Sequence, residues 1–246
     1  MMAPRSRATR SPDVAQASDE SVRTTPTSRG AETKARILDA ALVLFRERGY
    51  DETTMRAVAE KAGVALGNAY YYYASKEHLL HGYYARSHSD HVLACRPVLE
   101  REKDLLARLK AVAHAKVDVS EPYHRFAGLL FRTAADPKSP LNPFHADSAD
   151  VRREAVALMG EIVSGSKKKV PKDLAARLPD LLWLWLMGVI LFWIHDESAH
   201  RAKTRRLIDA SAELVVRLIS LASNPLLSPL RKSALKMLEE TAGTLA

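Results

Sequence analysis

Residues 53–80, TTMRAVAEKAGVALGNAYYYYASKEHLL, decide how this chain is read. They spell two short helices with a tight turn between them, followed at once by the start of a third. Thr53 or Thr54 can accept hydrogen bonds from the first turn of the first helix. Met55, Val58, Ala59 and Ala62 give that helix one apolar face. The turn falls at Lys61-Ala62-Gly63-Val64, where Gly63 supplies backbone freedom and Val64 plugs the junction. Ala69 is small enough to let the second helix, residues 65–73, cross the first closely. Two helices joined by a short glycine-containing turn make a helix-turn-helix, whose second helix enters the major groove of DNA.

Four consecutive tyrosines, Tyr70 to Tyr73, end that second helix. Leu66, Gly67 and Tyr70 share its outward side, with Asn68 and Tyr71 flanking. Aromatics this dense are out of place on an idle surface. A tyrosine offers a hydroxyl to phosphate oxygens and a ring to thymine methyls or sugars. Gly67 removes a side chain where the helix would approach the groove. Tyr73 lies one turn beyond Ala69 and is assigned to packing. Lys76 opens the next helix and adds a charge for a phosphate.

Upstream, residues 31–48 carry Ile37, Ala41, Leu44 and Phe45 at i, i+4, i+7, i+8, the stripe of an amphipathic helix, and Gly49 stops it. Residues 1–28 are rich in Ser, Thr, Pro and Arg, too poor in large apolar groups to offset their ordering entropy. This segment is expected to be a disordered basic tail, with Arg5, Arg7, Arg10, Arg23 and Arg29 available to phosphates. Downstream, Ser75 caps a fourth helix running to about Arg96, and Pro97 ends or kinks it. Helices are expected over 102–119, 122–135, 149–164, 173–196, 199–221 and 228–245. A proline-rich loop fills 136–147, and the Lys167-Lys168-Lys169 run is expected to be solvated. No strand pattern or internal repeat is present in the sequence. The fold class is all-α: a three-helix head over 29–76 and a helical body over 77–246.

The 246 residues are 47% apolar and 27% charged, as in a soluble globular protein, and the net charge of +8 suits a polyanionic partner. The single Cys95 cannot form an internal disulfide, which fits a cytoplasmic location, and is expected to be a partly buried helix residue. No apolar segment of secretory type opens the chain, and the run 181–194 is too short to span a bilayer, so no membrane partner is expected. There is no G-x-S-x-G elbow, P-loop, H-E-x-x-H or CxxC pair, and no enzyme is read here. His78, His81, His88 and His91 form two HxxH pairs on the fourth helix. With no cysteine or second acidic cluster nearby, they are read as exposed histidines, with neither metal nor cofactor.

Residues 31–80 resemble the DNA-binding domain of the TetR family of transcriptional regulators. The resemblance rests on ILDAALVLFRERGYDETTMRAVAEKAGV and on GNAYYYYASKEHLL. It implies that Arg56, Leu66, Gly67 and Tyr70 face base edges. It further implies that Thr54, Asn68, Tyr71, Tyr72 and Lys76 meet the sugar-phosphate backbone. This chain departs from the family where Ala65 and Leu66 replace the usual polar residues, and where Tyr73-Ala74 replaces the commoner Phe-Pro. Base readout therefore leans on Arg56, Tyr70 and DNA shape.

Such a head makes too few contacts alone, and a twofold dimer on a palindromic operator supplies the second half-site. The segment LLWLWLMGVILFW, residues 181–193, is apolar nearly all round and exceeds what one core side can cover. Trp183, Leu186, Ile190 and Trp193, with Leu207, Leu214 and Leu218 from the next helix, are assigned to an intermolecular four-helix bundle. The resemblance also implies a small-molecule pocket in the middle helices, with His114, Asp118, Tyr123, His124, Phe126 and Phe131 as candidate lining. The resulting reading is a ligand-released repressor of double-stranded DNA. The alternative is a helical protein-interaction adaptor without DNA specificity, using the tyrosines as a contact patch.

Overall fold

The structure is a computed structural model that describes residues 26–242. The expected tail therefore lies outside the described residues up to position 25, while 26–28 belong to the first helix. Ten α-helices and four short 3-10 turns, with no strand among the described residues, give the expected all-α class. The helices are α1 (Pro26–Arg48), α2 (Met55–Ala62), α3 (Leu66–Tyr72), α4 (Lys76–Arg101), α5 (Leu105–Ser120), α6 (His124–Ala135), α7 (Ala149–Ser164), α8 (Lys172–Ile194), α9 (Ala202–Ala222) and α10 (Ser228–Ala242).

The head closes around α1. Ile37, Ala41, Leu44 and Phe45 are buried against Met55, Val58 and Ala59 of α2 and Ala69 of α3. Thr54 is the cap of α2 and accepts from Ala57 N at 3.2 Å. Thr53 is buried and donates to the Gly49 carbonyl at 2.7 Å instead. Gly63 takes φ +66°, its N–H reaching Glu60 O while Val64 N reaches Ala59 O. This double closure meets the orphan carbonyls of α2 and fixes where α3 departs.

The buried cluster of the head runs on past residue 76. Leu79, Leu80 and Tyr83 of α4, Leu130 and Ala134 of α6, and Leu141 from the following loop belong to the same buried cluster. Arg86 of α4 is ion-paired with Asp39 of α1. Pro97 neither ends α4 nor caps it; the helix continues to Arg101. The carbonyl that loses its partner belongs to Leu93, on the solvent side, where water can replace the bond.

The body packs α5 between α4 and α9, and α7 against α8. Its core holds Leu109, Val112, Val117, Leu158, Met159, Ile162, Leu182, Trp183, Ile208 and Ala212. Arg108 of α5 is buried and donates to the carbonyls of Leu99, Glu102, Glu161 and Ile162, fastening the ends of α4 and α7 together. Helix α8 outruns its apolar run and, at 23 residues, is long and apolar enough to cross a bilayer by composition. In this fold it is the central core helix, with Leu178, Leu182, Trp183, Leu186, Val189 and Trp193 buried.

Candidate DNA-binding head and effector cavity

The recognition helix α3 presents one open face. Gly67, Asn68, Tyr70 and Tyr71 are exposed, with Tyr71 at 81% the barest large apolar residue of the head. A Cβ at Gly67 would meet nothing within 4 Å, so only an external surface can make use of its missing side chain. Arg56 and Thr54 are exposed at the start of α2 beside it.

The tyrosine run divides along the helix. Tyr72 is half-buried, packs edge-to-face with Tyr71 at 5.1 Å, and stays against the head. Tyr73 is buried and donates to the Lys34 carbonyl at 3.3 Å, in its expected packing role. Burial raises its phenol pKa to about 12. Leu66 is half-buried against the head's core rather than fully outward. The Lys76 ammonium is engaged within the head: it donates to the carbonyls of Tyr50 at 2.9 Å and Asp51 at 3.3 Å, over the Tyr50 ring. It braces the turn before α2, so a phosphate contact there would have to share the ammonium.

The body contains a cavity of about 160 Å³ between α4, α5, α6, α7 and α8. Its lining corrects the expectations. Of the five candidates whose side chains are described, Phe131 alone lines it. His114 pairs with Asp209 of α9, Asp118 with Arg205, and His124 with the Trp193 carbonyl. Tyr123 packs on Tyr83 and under Arg46, at the joint between head and body. The Phe126 side chain lies outside the described residues.

The expected dimer residues on α8 are corrected as well. Trp183, Leu186 and Trp193 are buried and, with half-buried Ile190, form the cavity's apolar wall. The outward side of α8 carries Leu184, Leu191 and Phe192 instead, beside exposed Leu214, Leu218 and Leu221 of α9; Leu207 is half-buried.

The opposite wall is polar and comes from α4 and α5: Tyr84, Ser87, His88, His91, Lys116 and Ser120. His88 and His91 are therefore not exposed histidines. The His91 Nε2–H donates to the Val112 carbonyl at 2.9 Å, and burial holds its pKa down near 4. Burial also lowers His88. The Lys116 ammonium, desolvated, falls from 10.5 to about 8 and so remains charged at neutral pH. The sequence held one signal for this wall: Tyr83, Tyr84, Ser87, His88 and His91 make a polar face nearly free of full charges, unusual on solvent. The described residues contain no cluster of three metal-binding side chains. Cys95 is fully buried, with its thiol pushed up to about 12, an inert core residue.

Head and body together define a class, a helix-turn-helix protein with an internally hollow helical body. The model for bacterial regulatory proteins of the tetR family matches residues 37–83, and that for the tetracyclin repressor-like C-terminal domain matches residues 108–235, just over half of the chain. The chain belongs to the TetR family of bacterial regulatory proteins.

The HTH-type transcriptional repressor KstR of Rhodococcus jostii is 55% identical over 49 residues, 20% of this chain and 23% of that protein. The repressor KstR2 of Mycobacterium tuberculosis is 30% identical over 92 residues, 37% of this chain and 46% of that one. The chain spans only about a quarter to a half of the length of these curated relatives. Among solved structures, the fatty acid degradation regulator FadR of Bacillus halodurans aligns with a TM-score of 0.58 at 20% identity, over 74% of this chain and 93% of that one. FadR of Bacillus subtilis, solved with stearoyl-CoA, aligns with a TM-score of 0.56 at 16% identity, over 74% and 97%. At those identities the likeness is one of fold.

Proposed function

We propose that this protein is a cytoplasmic, non-enzymatic transcriptional repressor that binds a palindromic operator as a homodimer and is released when a small molecule fills the body cavity. The observation that carries the reading is the open face of α3, where Gly67, Asn68, Tyr70 and Tyr71 project from a helix fixed by the Gly63 turn. Arg56, Tyr70 and the bare backbone at Gly67 would meet base edges. Thr54, Asn68 and Tyr71 would meet the sugar-phosphate backbone, with Tyr72 and Lys76 in supporting positions. The likeness over 49 residues to KstR proteins, which are transcriptional repressors, favours repression.

A dimer would pair the exposed apolar strip of α8 and α9, which one subunit leaves uncovered. In this reading residues 29–76 are the DNA-binding unit and 77–246 the regulatory unit. Release follows from shared walls. Tyr83, Leu130 and Leu141 belong both to the head's buried cluster and to the cavity lining. A ligand that displaces them would shift α4 and α6 against the head and change the spacing of two heads on DNA.

Selection of bound duplexes from a random pool tests the reading. An inverted repeat should emerge, with affinity falling steeply as salt rises. Recovery of no preferred sequence would favour the adaptor instead.

A further inference from the structure

The two walls of the cavity differ in kind. One is aromatic and aliphatic, built from Phe131, Met159, Trp183, Leu186, Ile190 and Trp193. The other carries a single fully charged group, Lys116, set among neutral polar side chains. Its ammonium donates to Ser87 Oγ at 3.2 Å. Among the described residues no carboxylate pairs with it within 4 Å, and the charge of Asp90 reaches it only from farther off. Asp90 is exposed and reaches Arg86 at 3.9 Å. Glu154, largely exposed, faces His88 Nε2 at 3.6 Å. Arg152, at the rim, donates to the Pro143 carbonyl at 2.8 Å and lies over Phe144.

An ammonium held in an apolar enclosure without a counter-ion is costly unless something supplies the missing charge. Here the missing charge is one negative unit, and the space beside it is lined with rings and branched chains. We infer that the cavity takes an apolar molecule bearing one carboxylate, received by Lys116 with Ser87 and His88 beside it. The ammonium on this wall selects an anionic headgroup and repels an amine; Arg152, the other cation of the lining, is already held on the Pro143 carbonyl at 2.8 Å. The carboxylate would also tie α5, which carries Lys116, to the stretch of α4 that continues into the head. This inference rests on the effector reading above.

The test compares acids with their matching alcohols by isothermal titration on the full chain: dodecanoate against dodecan-1-ol, and 1-pyrenebutyrate against 1-pyrenebutanol. A charge-assisted contact of this kind makes at least one acid bind about tenfold or more tighter than its alcohol. In Lys116→Met the acid and alcohol of each pair should bind alike, and dodecylamine should not bind the wild type. The inference is overturned if neither acid binds, if acids and alcohols bind the wild type equally, or if the variant keeps the preference. The wild-type comparison decides even if the variant does not fold. Release of a selected operator duplex is read separately by anisotropy. Acids that bind without releasing DNA sink the effector reading and leave the carboxylate site standing. Release by alcohols as readily as by acids does the reverse.

Discussion

Tyr73, just past the end of the recognition helix, and Gly82, in the second turn of α4, are in contact: a Cβ on Gly82 would stand 2.9 Å from Tyr73 Cε1 and 3.2 Å from its hydroxyl. The missing side chain is what lets the Tyr73 ring lie against α4. Gly82→Ala should therefore destabilise the fold by about 1–2 kcal/mol, overpacking outweighing the gain in helix propensity. Tyr73→Ala should cost about 3 kcal/mol through the cavity it leaves. The double variant should lose less than the sum, because the deleted ring makes room for the new methyl. Urea midpoints of the four proteins measure this, and strict additivity would mean the contact carries no energy.

Tyr70 and Gly67 should behave in the opposite way. Neither is used by the head's own packing, so Tyr70→Ala should move stability by no more than about 0.5 kcal/mol, and Gly67→Ala should raise it by about 0.5–1 kcal/mol through helix propensity alone. Operator affinity should fall by about 1–3 kcal/mol in Tyr70→Ala, the usual worth of a base-edge contact. The methyl of Gly67→Ala has free space in the protein, so any loss of affinity it causes must arise against DNA. Wild-type affinity in both variants would place the groove on another face of α3.

The head was legible because its signals are local: Thr54 and Gly63 bound α2, and Ile37, Ala41, Leu44 and Phe45 repeat at helical spacing. The cavity was not, because its lining depends on which side of α8 turns inward. A helix apolar all round gives no periodicity to choose by, and the fold turns Trp183, Ile190 and Trp193 inward, against the outward expectation. The missed polar wall has the same origin. Histidine and lysine count as surface residues in any amphipathic pattern, and only the packing of α4 against α5, across the short connection at 102–104, encloses His91 and Lys116.

Arg108 shows that pattern failing in a way that can be tested. It reads as a charge on an amphipathic helix, yet it is 2% exposed and its guanidinium bonds four helix-end carbonyls with no carboxylate among them. Those carbonyls carry the partial negative charge of two helix C-termini, which suits a cation. Arg108→Ala should cost about 3–5 kcal/mol and Arg108→Lys most of that, since an ammonium cannot fork to both helices. Gly165→Ala should also destabilise, because its Cβ would collide with the Arg108 guanidinium. Retention of wild-type stability by Arg108→Lys would mean that charge alone, without the fork, holds α4 and α7.

The buried His91 predicts a pH dependence of stability. Its folded pKa near 4 lies below the ordinary 6.5, so the fold holds it neutral while the unfolded chain takes up a proton. Stability is fully present above about pH 6.5 and is lost as the pH falls toward 4. At 1.36 kcal/mol per pH unit, this group accounts for about 2 kcal/mol between pH 6.5 and 5. His88, lowered by the same burial, acts in the same direction, and Lys116 on the facing helix reinforces both. His91→Gln should remove its share of the slope of unfolding free energy against pH. An unchanged slope would mean that His91 is protonated within the fold.

The exposed strip of Leu184, Leu191 and Phe192 on α8 and Leu214, Leu218 and Leu221 on α9 makes the last prediction. Because these side chains are already in solvent within one subunit, Leu214→Glu with Leu218→Glu should leave the subunit's own fold nearly unperturbed. In a dimer the same charges would be buried against the partner's apolar strip, opposite their own symmetry copies, and the bundle should not form. Sedimentation equilibrium should then give a monomer where the wild type gives a dimer. Operator affinity should fall by about a hundredfold or more, since each head would lose the effective concentration that its neighbour provides. Trp183→Ala is the control: it should change stability and the cavity while leaving the mass unchanged, because its ring points into the subunit. A double variant that still sediments as a dimer would put the interface elsewhere, and α10, with exposed Leu230 and Leu238, is the next face to substitute.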